Sequence, residues 1–355
     1  MKKILSIIAV ALALTGVVFI QNRFQGGDTE SPAQIKLDSL TTDQKIGQLF
    51  IVGIEGKDLT EETESFIRRF HPGGILLLGK NVRDKDQIKE LIKDLQEVAL
   101  SDAGLPLLIA IDQEGGIISR VKWLDNTPQN EIESQDEAYG LGLARGQGLK
   151  ELGVNLNLAP LVDAGSDGDF IFNRTFQKSE EISGNLASKL IEGQKEGGIF
   201  TAIKHFPGYG GISFNPEDER SVLDNIPSLG QFQKAAESFP EIVMVTDVIY
   251  KDIDPSAPFV FSKKGIDFLK DKIPGNYLII SDDLDQYTFL NNYSLSDIVT
   301  LPTKAGVDLL IFSGFRLTSD MGIGAFKEAV LEGKIKEDEL NNKVLRILEL
   351  KEKIK

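Results

Sequence analysis

The stretch IFTAIKHFPGYGGISFNPEDE, Ile199 to Glu219, reads as a strand, then a rigid elbow, then a loop. Ile199 to Phe206 is apolar and β-branched enough for a buried strand, yet it ends in Lys204 and His205, two residues that are costly to bury without partners. Pro207, Gly208, Gly210 and Gly211 then stop the strand abruptly. The polar segment after them, 213–220, carries three successive acids, Glu217, Asp218 and Glu219. A cationic pair at a strand end beside an acidic loop suggests a site for a polar ligand, uncharged or anionic.

Outward from this strand the pattern repeats. Strand-like apolar runs fall at 47–54, 73–78, 105–111, 154–159, 199–206, 241–246, 277–281 and 307–312. Amphipathic segments lie between them. One is 86–100, with Ile88, Leu91, Ile92, Leu95 and Val98 at helical spacing, and another is 136–152. Strand and helix alternating eight times predict an α/β fold, a (β/α)8 TIM barrel, with a doubly wound open sheet as the alternative. No second linker interrupts residues 37–355, so one barrel domain is expected there.

In such barrels the working residues come from the C-terminal ends of several strands. Five strands here end in polar residues: Asp112-Gln113-Glu114, the run to Asp163, Lys204-His205, Asp247, and Ser281-Asp282-Asp283. A lone Asp of this kind is usually a cap or turn residue, but five together point to a site.

The composition is that of an ordinary globular chain: 355 residues, 41% hydrophobic and 26% charged. A net charge of −15 argues against nucleic acid or an anionic membrane surface as the main partner. The chain has no cysteine, which excludes disulfides, thiolate metal sites and a cysteine nucleophile. Its two histidines, His71 and His205, are too few for a His-rich metal centre, so no metal is expected. Lys2 and Lys3 precede an uncharged run over 4–20, which reads as a signal or membrane anchor. The expected organisation is an anchor over 1–24, a linker over 25–36 and an extracytoplasmic barrel from 37 on, with the lysines cytoplasmic.

Paired carboxylates across a polar cleft suggest glycoside hydrolysis. The runs IDQEGG (111–116), LNLAPLVD (156–163), NRTF (173–176), KHFPGYG (204–210), SDDL (281–284) and AGVDLL (305–310) resemble glycoside hydrolase family 3. Their order and spacing are most similar to its single-domain β-N-acetylglucosaminidase branch, over about 37–350. The resemblance implies retaining exo-hydrolysis of terminal β-linked N-acetylglucosamine, from cell-wall or related saccharides, with no metal or cofactor. Carried over by position, it implies Asp282 as nucleophile, Asp283 as structural, and Asp112, Arg120, Arg174, Lys204 and His205 as the sugar-binding set. His205 by itself would read as a satisfied structural histidine.

Departures from the family pattern are as informative as the matches. The branch usually places an Asp-Ser-His shortly after KHFPG, in which the His is the general acid/base. Counted from Lys204, those Asp and His positions fall on Asn215 and Glu217. Two further family histidines are replaced by Tyr209 and Asp247, and Ile117 stands where an Arg is common. Two classes of function follow. One is a glycosidase whose acid/base is a loop carboxylate, with Glu217 first and Asp218 or Glu219 as substitutes. The other is a degenerate barrel that binds saccharide without efficient turnover. A β-glucosidase is a further alternative. The oligomeric state and the aglycone are not legible.

Overall fold

The computed structural model describes residues 30–314 and 317–354. Eight parallel strands follow one another around a closed barrel: β1 (Phe50–Gly53), β2 (Gly74–Leu77), β3 (Leu108–Ile111), β4 (Leu156–Asn157), β5 (Phe200–Phe206), β6 (Ile242–Val245), β7 (Leu278–Asp283) and β8 (Leu309–Phe312). β8 pairs with β1 through Phe50 opposite Leu310, which closes the ring. Every residue of β1, β2, β3, β6 and β8 is buried. Strands covered by side chains within and helices without need apolar residues on both faces, and this is why they read as unbroken apolar runs. The (β/α)8 expectation holds, and all eight expected strands are present.

The helices are fixed by their ends. Asp84 accepts a hydrogen bond from the Gln87 N–H and starts helix Lys85–Asp102, whose Ile88, Leu91, Ile92, Leu95 and Val98 are buried. Ser134 does the same for Gln135–Leu152, which ends at Gly153 with φ 93°. That helix lies close against Glu180–Glu196. A Cβ on Gly142 would sit 2.3 Å from the Leu190 carbonyl oxygen, so the approach requires glycine.

β4 is only two residues long because side-chain bonds replace its ladder. Asn157 Oδ1 accepts from the Gln113 N–H at 2.9 Å, and its Nδ2 donates to the Gln113 carbonyl at 3.1 Å. β5 pairs with β6 in one register to Ile203 opposite Val243, and pairing resumes at Phe206 opposite Val245 with the register shifted by one residue. The slip falls on Lys204 and His205, joined by a cis peptide bond. Both side chains are buried.

The chain divides into two units, Met1–Ser39 and Leu40–Lys355. In the first, residues 32–36 are helical and not linker: helix Pro32–Ser39 begins with proline, and Ser31 Oγ accepts from the Gln34 N–H. The expected anchor over 1–24 lies outside the described residues. No helix among the described residues is long and apolar enough to cross a membrane.

Candidate active site

Asp112 follows β3, Lys204 and His205 close β5, Asp247 follows β6, and Asp282 lies near the end of β7. All are therefore brought to the C-terminal mouth of the barrel. A cavity of about 400 Å³ there is lined by Asp112, Glu114, Arg120, Arg174, Lys204, His205, Tyr209, Glu217 and Asp282, with apolar contributions from Leu76, Leu158, Phe170 and Met244. Every expected catalytic and sugar-binding residue lines it. A larger hollow lies at the opposite end, beside Asn155, Phe200 and Glu241 at the strand starts. Its charged lining is lysine and glutamate, among them Lys93, Lys150, Lys195, Glu151 and Glu196.

The floor is an ion network. Lys204 Nζ is 2.6 Å from Asp112 Oδ1 and 2.6 Å from Glu114 Oε1. Arg174 grips the other side of Glu114 with two bonds, 2.8 Å from Nη2 and 3.1 Å from Nε. Arg120 Nη2 is 3.4 Å from Asp112 Oδ2. Burial acts to raise the Glu114 carboxyl, but the Arg174 and Lys204 charges outweigh it and hold the group well below the usual carboxylate range. Asp112 is held down in the same way, against its burial, by Lys204 and Arg120. Burial acts to lower the Lys204 pKa, and the two carboxylates bring it above its ordinary value. Asp112, Glu114, Arg174 and Lys204 are thus charged at neutral pH.

His205 is held by Asp163, which is fully buried. Asp163 Oδ2 accepts from the His205 backbone N–H at 2.8 Å and lies 3.0 Å from its ring Nδ1, while Oδ1 accepts from the Tyr209 N–H at 2.7 Å. One carboxylate thereby fixes both the strand end and the elbow after it. Tyr209 reaches across to Asp282 on β7. Its Oη lies 2.7 Å from Asp282 Oδ2 and 2.9 Å from Asp247 Oδ1. Asp282 Oδ1 accepts from the Asp283 N–H at 2.9 Å. Asp283 lines the cavity beside it, and its Oδ1 accepts from the backbone N–H groups of Asp285 and Ser313.

The acidic loop is anchored. Thr288 Oγ1 donates to the Pro216 and Glu217 carbonyls at 3.1 and 2.9 Å. Asn215 Oδ1 accepts from the Glu217 N–H and Asn215 Nδ2 donates to Asp218, tying the loop tip together. Of the three acids, Glu217 alone lines the cavity. Its pKa is raised by partial desolvation, then by the Asp282 and Asp218 charges.

Residues 41–350 match the glycosyl hydrolase family 3 N-terminal domain. The chain belongs to glycosyl hydrolase family 3. Among other members, a β-hexosaminidase of Idiomarina loihiensis is 30% identical over 281 residues, covering 74% of this chain and 82% of that one. The corresponding protein of Actinobacillus succinogenes is 29% identical, with 74% and 79% covered. Two solved structures of the family share the barrel. The β-N-acetylglucosaminidase of a Paenibacillus species superposes with a TM-score of 0.83 at 26% identity, covering 89% of this chain and 63% of that longer one. The β-N-acetylhexosaminidase of Beutenbergia cavernae gives 0.82 at 25%, covering 88% and 99%. The protein is a glycoside hydrolase of β-N-acetylhexosaminidase-like type.

From the sequence, Glu114, Asp163 and Asp247 stand out only as members of the polar strand ends, and Tyr209 only as a replaced family histidine, none with a role of its own. Glu114 had a signal: on an extended chain it points to the same side as Asp112, two positions earlier. The others act through partners on different strands, which only barrel closure brings together.

Proposed function

We propose that the protein is a retaining exo-glycosidase that removes terminal β-linked N-acetylglucosamine from saccharides. The reading is carried by one observation: Asp282 and Glu217 line the same cavity in opposed environments. Asp282 accepts hydrogen bonds on both oxygens, which favours the carboxylate a nucleophile needs. Glu217 is pushed toward its acid form, as a proton donor needs.

In the first step Asp282 bonds to the anomeric carbon as the glycosidic bond breaks, and the Glu217 proton passes to the leaving oxygen. In the second, Glu217 takes a proton from water, the water oxygen bonds to the anomeric carbon, and Asp282 leaves as carboxylate. Asp112, Lys204, Arg174 and His205 supply fixed charges and donors for sugar hydroxyls, and Arg120 does so from the rim. The names of the relatives support N-acetylglucosamine as the sugar. The apolar run over 4–20 supports an extracytoplasmic, membrane-anchored location and a cell-wall saccharide as the polymer met there.

Turnover of a panel of aryl β-glycosides tests the reading. Selective release from the N-acetylglucosaminide is expected. Release from the glucoside instead favours a β-glucosidase. Binding of N-acetylglucosamine oligomers without turnover makes the protein a saccharide-binding barrel.

A further inference from the structure

Tyr209 Oη sits between two carboxyl groups, 2.7 Å from Asp282 Oδ2 and 2.9 Å from Asp247 Oδ1. A phenol has one proton, so it can donate to only one of them. Two carboxylates on either side of it would leave one oxygen facing another across a contact with no hydrogen, inside a site where Tyr209 is 3% and Asp247 6% exposed. The second oxygen of Asp247, Oδ2, is buried and has no hydrogen-bond partner among the described residues. That is costly for a carboxylate and tolerable for the carbonyl oxygen of a neutral acid. Both contacts are satisfied only when one of the two carboxyl groups is protonated, and since Asp282 Oδ1 already accepts from the Asp283 N–H while Asp247 Oδ2 has no donor among the described residues, the proton belongs on Asp247.

We infer that Asp247 is a neutral carboxylic acid that donates to Tyr209 Oη, and that Tyr209 in turn donates to Asp282, so that Asp247 and Tyr209 are positioning residues for the nucleophile. Two protons are shared among three acidic groups, and Asp282 is the one left ionised. Asp247 does not line the cavity, so it acts through Tyr209.

The groups around Asp247 agree with this. Asp282 faces it from β7, Glu217 and Tyr209 from the loop after β5, and Tyr250 from its own side of the barrel. The largest influences on it include no cation. Burial, then the Asp282 charge, brings its pKa up to about 7, against the opposing pull of the Tyr209 hydrogen bond. Once Asp247 ionises, the tyrosine proton is contested and the support of Asp282 is lost.

The inference rests on Asp282 as nucleophile for its activity readout, so a second readout is needed that does not. For activity, kcat/KM is followed against pH with a nitrophenyl glycoside, whose leaving group needs little protonation, so that Glu217 does not set the alkaline limb. Wild type should decline above about pH 7. Asp247→Asn presents a permanent N–H donor to Tyr209, so it should retain activity within about tenfold and lose that decline. Asp247→Ala and Tyr209→Phe should each fall about 10- to 100-fold, the range for a lost hydrogen bond to a charged group. For stability, the folded state holds the Asp247 proton up to about pH 7 while the unfolded chain releases it near the ordinary aspartate value of 3.8. Between those values the folded state carries the extra proton, so the Asp247 contribution weakens as pH rises. Denaturant midpoints of wild type should therefore fall relative to Asp247→Asn across that window. If the Asn variant does not fold, Asp247→Ser replaces it in the comparison. Equal damage from Asn and Ala, or a stability difference that does not change with pH, overturns the inference. If no aryl glycoside is hydrolysed by any form, the proposed function fails, and the stability comparison alone decides this one.

Discussion

Lys204 and Glu114 meet at 2.6 Å with side chains 3% and 2% exposed, a nearly dry ion pair at the floor of a sugar-sized cavity. Such a pair contributes little net stability when both partners are present, because each loses its hydration, but removing one partner leaves a charge buried without compensation. Lys204→Met takes the shared cation from two carboxylates, leaving Glu114 to Arg174 and Asp112 to the more distant Arg120. Denaturant unfolding should show a loss of about 3–5 kcal/mol, and saccharide binding should fall with it.

The same pair sets an acid limit. The folded Glu114 carboxyl is held well below its ordinary value, so the unfolded chain takes up this proton first as the pH falls. The stabilisation is whole above the unfolded carboxyl value of about 4.3 and is lost progressively below it. Thermal melts of wild type should therefore drop between about pH 5 and pH 2, and those of Glu114→Gln should drop less steeply. Parallel curves would show that Glu114 does not carry the limb.

Asp282→Asn should leave the fold intact and abolish turnover, by about 10³-fold or more, because the proposed mechanism gives Asp282 the covalent bond to the sugar. Asn keeps an oxygen for the Tyr209 donor. Mass spectrometry of wild type inactivated with a slow fluorosugar should place the label on Asp282. A label on Asp283 or Asp247 moves the nucleophile.

The barrel was legible because its strands are apolar throughout, and the mouth because polar residues cluster where those strands end. What pairs with what was not. Asp247 and Tyr209 stand where the family has histidines, and from the sequence they registered as losses. Barrel closure brings both onto Asp282, where they form a hydrogen-bonded chain of a different kind. Helix Pro32–Ser39 was missed for a local reason: Ser31-Pro32 is a helix start, but beside Gly26, Gly27 and the polar residues near them it read as linker. β4 shortened because Asn157 spends its side chain on the Gln113 backbone, an exchange that no periodicity reveals.

Thr288→Val removes the hydroxyl that holds the Pro216 and Glu217 carbonyls and keeps the side-chain volume. The loop carrying Glu217 should then loosen, while Asp282 and the floor stay in place. Poor leaving groups should slow by about tenfold and nitrophenyl glycosides hardly at all, on the scale of one or two hydrogen bonds. A similar loss for both kinds of substrate would point to a general disturbance of the site and not to the loop.

In the proposed mechanism turnover depends on Glu217, which alone of the three loop acids lines the cavity. Its raised pKa comes from partial desolvation and from the Asp282 charge, so it stays protonated to higher pH while Asp282 is ionised, and should become easier to ionise once Asp282 is esterified. That is the order of events a retaining cycle needs: acid first, base second. Glu217→Ala should slow substrates with alkoxide-like leaving groups by about 10²- to 10⁴-fold, while nitrophenyl glycosides still load Asp282. The intermediate should then accumulate for want of a base, and added azide should release it as the β-glycosyl azide. A variant that hydrolyses both substrate types as wild type does removes Glu217 from the role and sends the test to Asp218 and Glu219. If those alanine variants are also unchanged and wild type itself turns over only activated glycosides, the loop supplies no proton and the barrel is a saccharide binder.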